Sequence, residues 1–255
     1  MYTYLIIIIN IIIIILYYIN YKLSFKENFT QNIIFLNKND LLNILQNDDD
    51  NYYKTFFKND LYARKISNIN DYINLIKLST SEYNSNEKNK IISCIEESKH
   101  IFNKINFEWF DGKKANTIPW KLGCIDGKLY ENGLPHTRND IIIISKKNIN
   151  DFSHQKLLKT LIHEKVHVYQ KLYPDDLKIY INKNNFRKLK ERDESDNIRA
   201  NPDLDNCIYT DNKENIYKAL YNHNPESIED IIYSPINSQS YEHPYERMAI
   251  EIENK

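Results

Sequence analysis

The residues best suited to chemistry in this chain are two histidines four positions apart, with a glutamate next to the first. They are His163 and His167 in the run HEKVH, and the glutamate is Glu164. Residues four apart lie on one face of an α-helix, so both imidazoles can bind a single Zn²⁺ through nitrogens ~2.0–2.1 Å from the metal. Glu164 lies off that face, which leaves its carboxylate free to bind a water molecule and take its proton. The spacing therefore predicts a zinc-dependent hydrolase with Glu164 as its general base.

The HEKVH run lies in a segment that has the marks of a helix. Asn150, Asp151 and Ser153 offer N-cap side chains, and apolar residues then recur at helical spacing as far as Pro174. The aliphatic residues 140–145 (DIIIIS) precede this helix and predict a short strand. A helix that follows a strand is a suitable context for a metal-binding run, and it strengthens the zinc prediction.

Turn signals predict the elements around this helix. Residues 118–125 and 128–130 flank an Asp-Gly pair, which predicts two strands joined by a hairpin turn, and the turn-rich residues 131–137 predict a connection. Residues 21–110 contain neither Gly nor Pro, which favours helices separated by polar spacers. The further predicted elements are helices at 32–45, 52–78, 87–105 and 175–192, a loop at 199–209, and a C-terminal helix that begins at Pro244.

On a helix with a strand upstream, HEKVH resembles the zincin metallopeptidases. The metzincin branch would need Gly and His where this chain has Gln170 and Tyr173, so that branch is excluded. The gluzincin branch takes a third zinc ligand from a glutamate on a later helix. Glu246, followed by Ala249, is similar to the Glu-x-x-Ala form of that helix. The resemblance implies that His163, His167 and Glu246 bind the zinc, with the neighbouring Glu242 and His243 as alternatives for the third ligand.

The resemblance covers residues 118–255 and implies a peptide or protein substrate. In gluzincins a strand like 140–145 lies beside the cleft, and an extended substrate pairs with its edge through backbone hydrogen bonds. The phrases GLPHTR and EHPYERMA are also similar to metallopeptidase-like proteins of large DNA viruses. A group that stabilises the oxyanion is also needed, and its identity stays open. Candidates are His136, Arg138, Arg199, Tyr241, Tyr245 and Arg247.

Two alternatives to a peptidase stay open. The first is a deformylase-like amide hydrolase, in which Cys124, upstream of the run, would be the third ligand. The second is a membrane-anchored structural or interaction protein that keeps a zinc site without catalysis, although the intact Glu164 argues against it. The cysteines themselves include no CxxC pair, so they indicate neither a disulfide framework nor a cysteine-rich zinc ribbon.

Residues 2–19 form an apolar run without a charged side chain. Its length is close to the ~20 residues of a membrane-spanning helix. A signal peptide is the alternative, but the basic start and small-residue cleavage site typical of one are missing, so an uncleaved anchor is predicted. Lys22 and Lys26 follow the run and weakly favour a cytoplasmic C-terminal side.

The predicted organisation is an anchor at residues 1–20, a helical region at 21–106 and an α+β zincin-like metallohydrolase domain at 107–255. In that domain a short antiparallel or mixed sheet accompanies the HEKVH helix. The net charge of -1 and the lack of a basic stripe disfavour a nucleic-acid partner. The predicted partners are therefore a peptide or protein substrate and, through the N-terminal run, a membrane.

Overall fold

The structure, a computed structural model, describes residues 10–18, 32–235 and 241–255, and the chain forms two compact units, Met1–Ile34 and Phe35–Lys255. Residues 10–18 of the first unit form helix α1, whose apolar side chains are exposed. The rest of the apolar run lies outside the described residues, so the membrane anchor stays a prediction. Among the described helices, none has the length and apolar character needed to cross a membrane.

The other elements alternate between helices and short strands. The helices are α2 (Lys38–Asn47), α3 (Lys58–Ala63), α4 (Ile69–Ser79), α5 (Ser85–Phe102), α6 (Gly112–Thr117), α7 (Lys146–Asp151), α8 (His154–Leu172), α9 (Pro174–Lys183) and α10 (Pro244–Glu253). The strands are β1 (Ile33–Phe35), β2 (Thr80–Ser81), β3 (Asn106–Phe107), β4 (Phe110–Asp111), β5 (Trp120–Ile125), β6 (His136–Arg138), β7 (Ile141–Ser145), β8 (Arg187–Glu191), β9 (Cys207–Thr210), β10 (Ile216–Tyr221) and β11 (Ile231–Ser234).

A mixed sheet positions the HEKVH helix. Strand β5 pairs in parallel with β7 and antiparallel with β2, and β7 pairs antiparallel with β6, which ends the sheet on that side. Every residue of β7 is buried, as expected for an aliphatic strand covered on both faces. Ile141 and Ile143 of β7 belong to a core with Leu41 of α2 and Ile76 of α4. The predicted α+β class is thus confirmed, and the sheet is mixed.

Three sequence expectations for this sheet need correction. Residues 128–130 form no strand, so the Asp-Gly pair at 126–127 does not join a hairpin and β5 instead pairs with β7. Residues 140–145 do contain a strand, but β7 is interior rather than at the edge. The edge is β6, which begins within the stretch 131–137 that was predicted to be a connection. A strand of three residues is too short to produce a readable alternation in the sequence.

The helix that carries HEKVH is α8, and it starts where predicted, because the Ser153 hydroxyl caps it by accepting from the backbone N–H of Lys156 at 3.2 Å. The predicted helix 175–192 ends early: α9 stops at Lys183, and the left-handed backbone of Asn185 (φ 57) leads into β8. Strands β8 to β11 form a second, four-stranded antiparallel sheet that the sequence analysis missed.

The predicted N-terminal helices are also more broken than expected. Residues 32–45 contain β1 and the first part of α2, and 52–78 divide into α3, α4 and a short 3-10 turn. A positive backbone φ at Lys65, after the end of α3, is one cause of the break, since such a conformation cannot continue a helix. In this chain Asn and Lys adopt the left-handed conformations that glycine commonly adopts.

Candidate metal centre

Three side chains from two packed helices converge at one point. The Nε2 atoms of His163 and His167, both on α8, lie 3.0 Å apart. The Glu246 carboxylate on α10 lies 3.2 Å from Nε2 of His163 and 3.8 Å from Nε2 of His167. The sequence analysis named the same three residues as zinc ligands, and they form a group able to hold a metal ion, with ligand atoms within 4.8 Å of one another.

Each histidine is held in place through its other ring nitrogen. Nδ1 of His163 lies 2.9 Å from Oε2 of Glu253, and Nδ1 of His167 lies 2.9 Å from Oε1 of Gln170. The Gln170 amide is itself fixed, because its nitrogen donates to the backbone carbonyl of Tyr245 at 2.9 Å. A hydrogen-bond acceptor at Nδ1 favours the tautomer whose Nε2 lone pair is free for a metal. Both imidazoles are therefore oriented with Nε2 as the available ligand atom.

Helix α10 presents Glu246 because its first turn is well defined. His243 caps the helix by accepting from the backbone N–H of Tyr245, and Pro244 occupies the first helical turn. Ala249 and Met248 are fully buried where α10 packs on α8. A small residue at 249 lets the two helices approach, which brings Glu246 within reach of both histidines.

Glu164 lies beside the group formed by His163, His167 and Glu246, here called the metal-binding group. Its carboxylate is hydrogen-bonded to the edge strand β6. The Thr137 hydroxyl lies 2.9 Å from Oε2 of Glu164 and donates to it, and the Glu164 side chain is nearly inaccessible to solvent. Burial, together with the negative charge of Asp203, raises the pKa of Glu164 well above its usual range. The carboxylate therefore holds a proton more tightly than the carboxylate of an exposed glutamate does.

The charges of the three convergent residues depend on one another. Burial acts to raise the pKa of Glu246, but the two histidines outweigh it and hold that pKa well below its usual range. Burial lowers the pKa of His167 and keeps its imidazole neutral. Burial also acts to lower the pKa of His163, but Glu246 and Glu253 outweigh it and raise that pKa well above its ordinary value. A metal bound here would have to displace a proton from His163.

The metal-binding group opens into a cleft with a volume of ≈ 550 Å³. One wall is α8, from Lys156 through Thr160 to His163, and another is the stretch from Leu134 to His136 that leads into β6. The loop before β9 contributes Arg199 to Asp203, and β11 contributes Ile231 and Tyr233. Apolar and polar groups both line the cleft, as is common for a site that binds an organic ligand.

The alternative ligands lie outside the metal-binding group. Glu242 accepts from the side chains of Arg199 and Asn201, and His243 lies 3.0 Å from Oδ1 of Asp205. Cys124 is buried in β5, two strands away from the edge strand β6, and burial raises its pKa to about 12. Cys124 is not part of the convergent group, and a thiol that holds its proton is a poor metal ligand.

Of the six candidates for the oxyanion role, the structure brings two to the cleft, His136 and Arg199. His136 is buried, with Nδ1 2.9 Å from the Leu134 carbonyl and Nε2 3.3 Å from the Tyr130 hydroxyl. The other four make contacts elsewhere: Arg138 with Asp48 and Asp50, Tyr245 with Asp205, Arg247 with Glu251, and Tyr241 stacked on Tyr217.

Sequence reasoning missed two cleft residues, Tyr233 and Asp203. Tyr233 lies in β11 beside Arg199, and burial raises the pKa of its phenol, so the hydroxyl keeps its proton. Asp203 accepts from the backbone N–H of Thr137 at 2.6 Å. Neither has a spacing relation to HEKVH, so only the fold could reveal that they line the same cleft.

Comparison with known proteins finds no relative for this chain: no family model matches it, and no curated protein or solved structure matches it either.

Proposed function

We propose that this chain is a zinc-dependent metallopeptidase with a gluzincin-like zincin site, in which His163, His167 and Glu246 bind the metal. The convergence of these three side chains is the observation that carries the proposal. Two ligands ~2.0–2.1 Å from a tetrahedral zinc lie ~3.3 Å apart. The ligand atoms here are 3.0, 3.2 and 3.8 Å apart, and two imidazoles with a carboxylate are a donor set that zinc favours.

Three protein ligands are typical of a catalytic zinc site, since they leave a fourth position open. When bound, zinc polarises a carbonyl group and lowers the pKa of a water molecule to about 7. The cleft gives a substrate access to that position, because His163, Glu164 and Glu246 all line it.

Glu164 is the proposed general base. Its carboxylate takes a proton from the attacking water and then gives that proton to the leaving amine, which needs a group with a raised pKa. The Thr137 hydroxyl donates to Oε2 of Glu164 and fixes the direction of the carboxylate. Oε1 has no hydrogen-bond partner among the described residues, so it is the oxygen that remains for the water.

Tyr233 and Arg199 are the proposed oxyanion-stabilising pair. The negative oxygen that develops on the substrate carbonyl needs hydrogen-bond donors placed in the cleft. Tyr233 offers a protonated phenol, and the neighbouring Arg199 guanidinium supplies positive charge although it is itself bound to Glu242. Removal of one such donor costs ~10²–10³-fold in kcat in a well-studied protease, which gives the scale expected for Tyr233→Phe.

The test of the proposal combines metal analysis with hydrolysis of a peptide pool. The full chain should contain one zinc per molecule and should cleave peptides. A variant with His163→Ala and His167→Ala should do neither while keeping the helical signal of the parent. A folded parent that takes up no zinc on titration would exclude the proposed function, whereas zinc without hydrolysis of any peptide would favour the membrane-anchored interaction protein.

A further inference from the structure

The outer edge of β6 is already occupied by the chain itself. The backbone N–H of Thr137 donates to Oδ1 of Asp203 at 2.6 Å. The Lys171 ammonium group donates to the Thr137 carbonyl at 2.7 Å and to the Pro202 carbonyl at 3.0 Å. These bonds occupy the N–H and the carbonyl of Thr137, the central residue of β6, which are the backbone groups it directs away from β7. A substrate strand therefore cannot pair with β6 at Thr137 in the way the zincin resemblance implies.

Residues 199–205, here called the crossing segment, extend from β6 to α10. On the α10 side, the Asn201 amide nitrogen donates to Oε1 of Glu242 at 2.8 Å and to Oε1 of Glu246 at 3.2 Å. The backbone N–H of Ala200 donates to Oδ1 of the buried Asp60 at 2.8 Å. The crossing segment is thus bound on both sides of the metal-binding group and closes the cleft there.

A second cavity lies on the other side of the crossing segment. It has a volume of ≈ 260 Å³, and it shares only Asn201 and Pro202 with the main cleft. On its Phe152 and Lys156 side the main cleft adjoins another cavity of ≈ 330 Å³, with which it shares those two residues, Leu134 and Glu229. A bound peptide can therefore extend from the metal in one direction, towards Phe152, and is stopped in the other by the crossing segment.

The closed end carries a carboxylate that can recognise a cation. Asp203 is mostly buried and lines the cleft, and its Oδ2 accepts no hydrogen bond from the described residues. It lies beside Glu164, because Thr137 donates its backbone N–H to Asp203 and its hydroxyl to Glu164. Lys171 is near enough to interact electrostatically with Asp203, but two of its N–H groups donate to backbone carbonyls and it forms no direct ion pair with that carboxylate. A buried carboxylate with a free oxygen favours an ammonium group over a neutral or anionic one.

We infer that the substrate ends at the crossing segment, and that Asp203 binds the free α-ammonium group of its first residue. The inference rests on the proposed peptidase function and specifies its substrate class: peptides with an unblocked N-terminus, which are shortened from that end. The scissile carbonyl then lies at the metal-binding group, and the remainder of the peptide occupies the open end of the cleft beside Phe152 and Lys156.

The test uses twin hexapeptides, which are identical except that one of the two is N-acetylated. Each twin is incubated with the full zinc-loaded chain, and the products are identified by mass spectrometry. Unblocked peptides should lose residues one at a time from the N-terminus. Their acetylated twins should react roughly 10- to 100-fold more slowly in kcat/KM, the range expected when a charged hydrogen bond loses one partner. Asp203→Asn keeps an acceptor for the Thr137 N–H but loses the charge, so it should raise KM for unblocked peptides and abolish the discrimination.

Glu229→Gln is the matched control, because it removes a negative charge from the same cleft at a residue that also lines the cavity beside Phe152 and Lys156. It should leave the ratio between unblocked and acetylated peptides unchanged. Internal cleavage of both twins at equal rates, or an Asp203→Asn variant with the same discrimination as the parent, would overturn the inference while leaving the peptidase proposal intact.

A binding measurement separates the two proposals. Calorimetric titration of the zinc-loaded Glu164→Gln variant with each twin reports recognition without hydrolysis. If the parent cleaves nothing but the variant binds the unblocked twin at least 10-fold more tightly, N-terminal recognition by Asp203 stands and the peptidase proposal fails. Equal affinity for the two twins overturns the inference regardless of activity.

Discussion

Replacement of Glu164 by glutamine separates catalysis from metal binding more cleanly than any other change in the cleft. Glutamine has the shape of glutamate but does not take a proton near neutral pH. Loss of a general base typically costs ~10²–10⁴-fold in rate, which corresponds to about 3–5 kcal/mol in the activation free energy. The amide oxygen of the introduced glutamine can still accept from the Thr137 hydroxyl, which lies 2.9 Å from Oε2 of Glu164 in the parent. The variant should therefore fold with the same side-chain position.

The contacts of Glu164 also predict the zinc content and the thermal stability of the Glu164→Gln variant. The zinc content should not change, because the proposed ligand atoms belong to other residues. The melting temperature should stay equal or rise, because burial and Asp203 disfavour the charged form of Glu164 and a neutral amide avoids that cost.

The assay measures initial rates on a peptide pool by mass spectrometry, with zinc content and melting temperature determined on the same samples. Thr137→Val is a useful companion, since it removes only the hydroxyl that orients Glu164 and should lower kcat less than Glu164→Gln does. A Glu164→Gln protein that keeps full activity would refute the assignment of the base. Loss of zinc together with activity would refute the separation of base from ligands.

Three further predictions concern the third ligand, the buried charges and the N-terminus. Glu246→Gln should weaken zinc binding by more than the ~10- to 100-fold typical of changes outside the ligand shell, whereas the matched Glu242→Gln should keep zinc in a chelator competition. Glu131→Gln should lower the free energy of unfolding by about 3–5 kcal/mol in urea at pH 7, because it removes the close counter-charge of the buried Arg64 and leaves only Asp60, which is 3.9 Å away and shared with Arg192; an unchanged value would contradict that. The full chain should stay in the membrane pellet after alkaline carbonate extraction with residues 2–19 uncleaved, and release as a shortened soluble species would instead indicate a signal peptide.

The contribution of Glu131 should also depend on pH. Burial acts to raise its pKa, but the bidentate Arg64 guanidinium outweighs burial and lowers that pKa from 4.5 to about 2. Because the pKa is depressed in the folded state, the stabilisation is complete above about pH 4.5 and is lost as the pH falls towards 2. Each pH unit in that interval is worth about 1.4 kcal/mol, so roughly 3 kcal/mol should disappear in the parent and not in Glu131→Gln.

The convergence of His163, His167 and Glu246 could be predicted from sequence because the signals that position them are local. The spacing of His163 and His167 is fixed by a single helix, and a cap at Ser153 and a proline at 174 mark its ends. Glu246 needed one more step, a second helix whose start is marked by Pro244 and whose close approach is marked by Ala249. Each of these signals lies within a few residues of the group it positions.

The rest of the cleft could not be predicted because it depends on contacts distant in sequence. Asp203 is hydrogen-bonded to Thr137, which is 66 residues away in the sequence, and no pattern in either segment predicts this contact. Tyr233 reaches the cleft through a sheet whose strands are short, and β8 has every residue exposed. Strand β10 does alternate in burial, but β8 does not, so the sequence does not indicate which strands pair and the tertiary fold decides it.

The boundary predicted at residue 106, between the helical region and the metallohydrolase domain, falls inside the second compact unit, Phe35–Lys255. Contacts beneath the cleft join the two regions. Glu131 lines the cleft, and its carboxylate accepts from Arg64, which follows α3, and from Tyr72 of α4. Asp60 of α3 accepts from the backbone N–H of Ala200 in the crossing segment. A buried carboxylate or guanidinium is stable only with its partner, so the helices before residue 106 cannot be removed without leaving charges unpaired beneath the cleft. The helical region is therefore part of the structure that holds the crossing segment against the cleft.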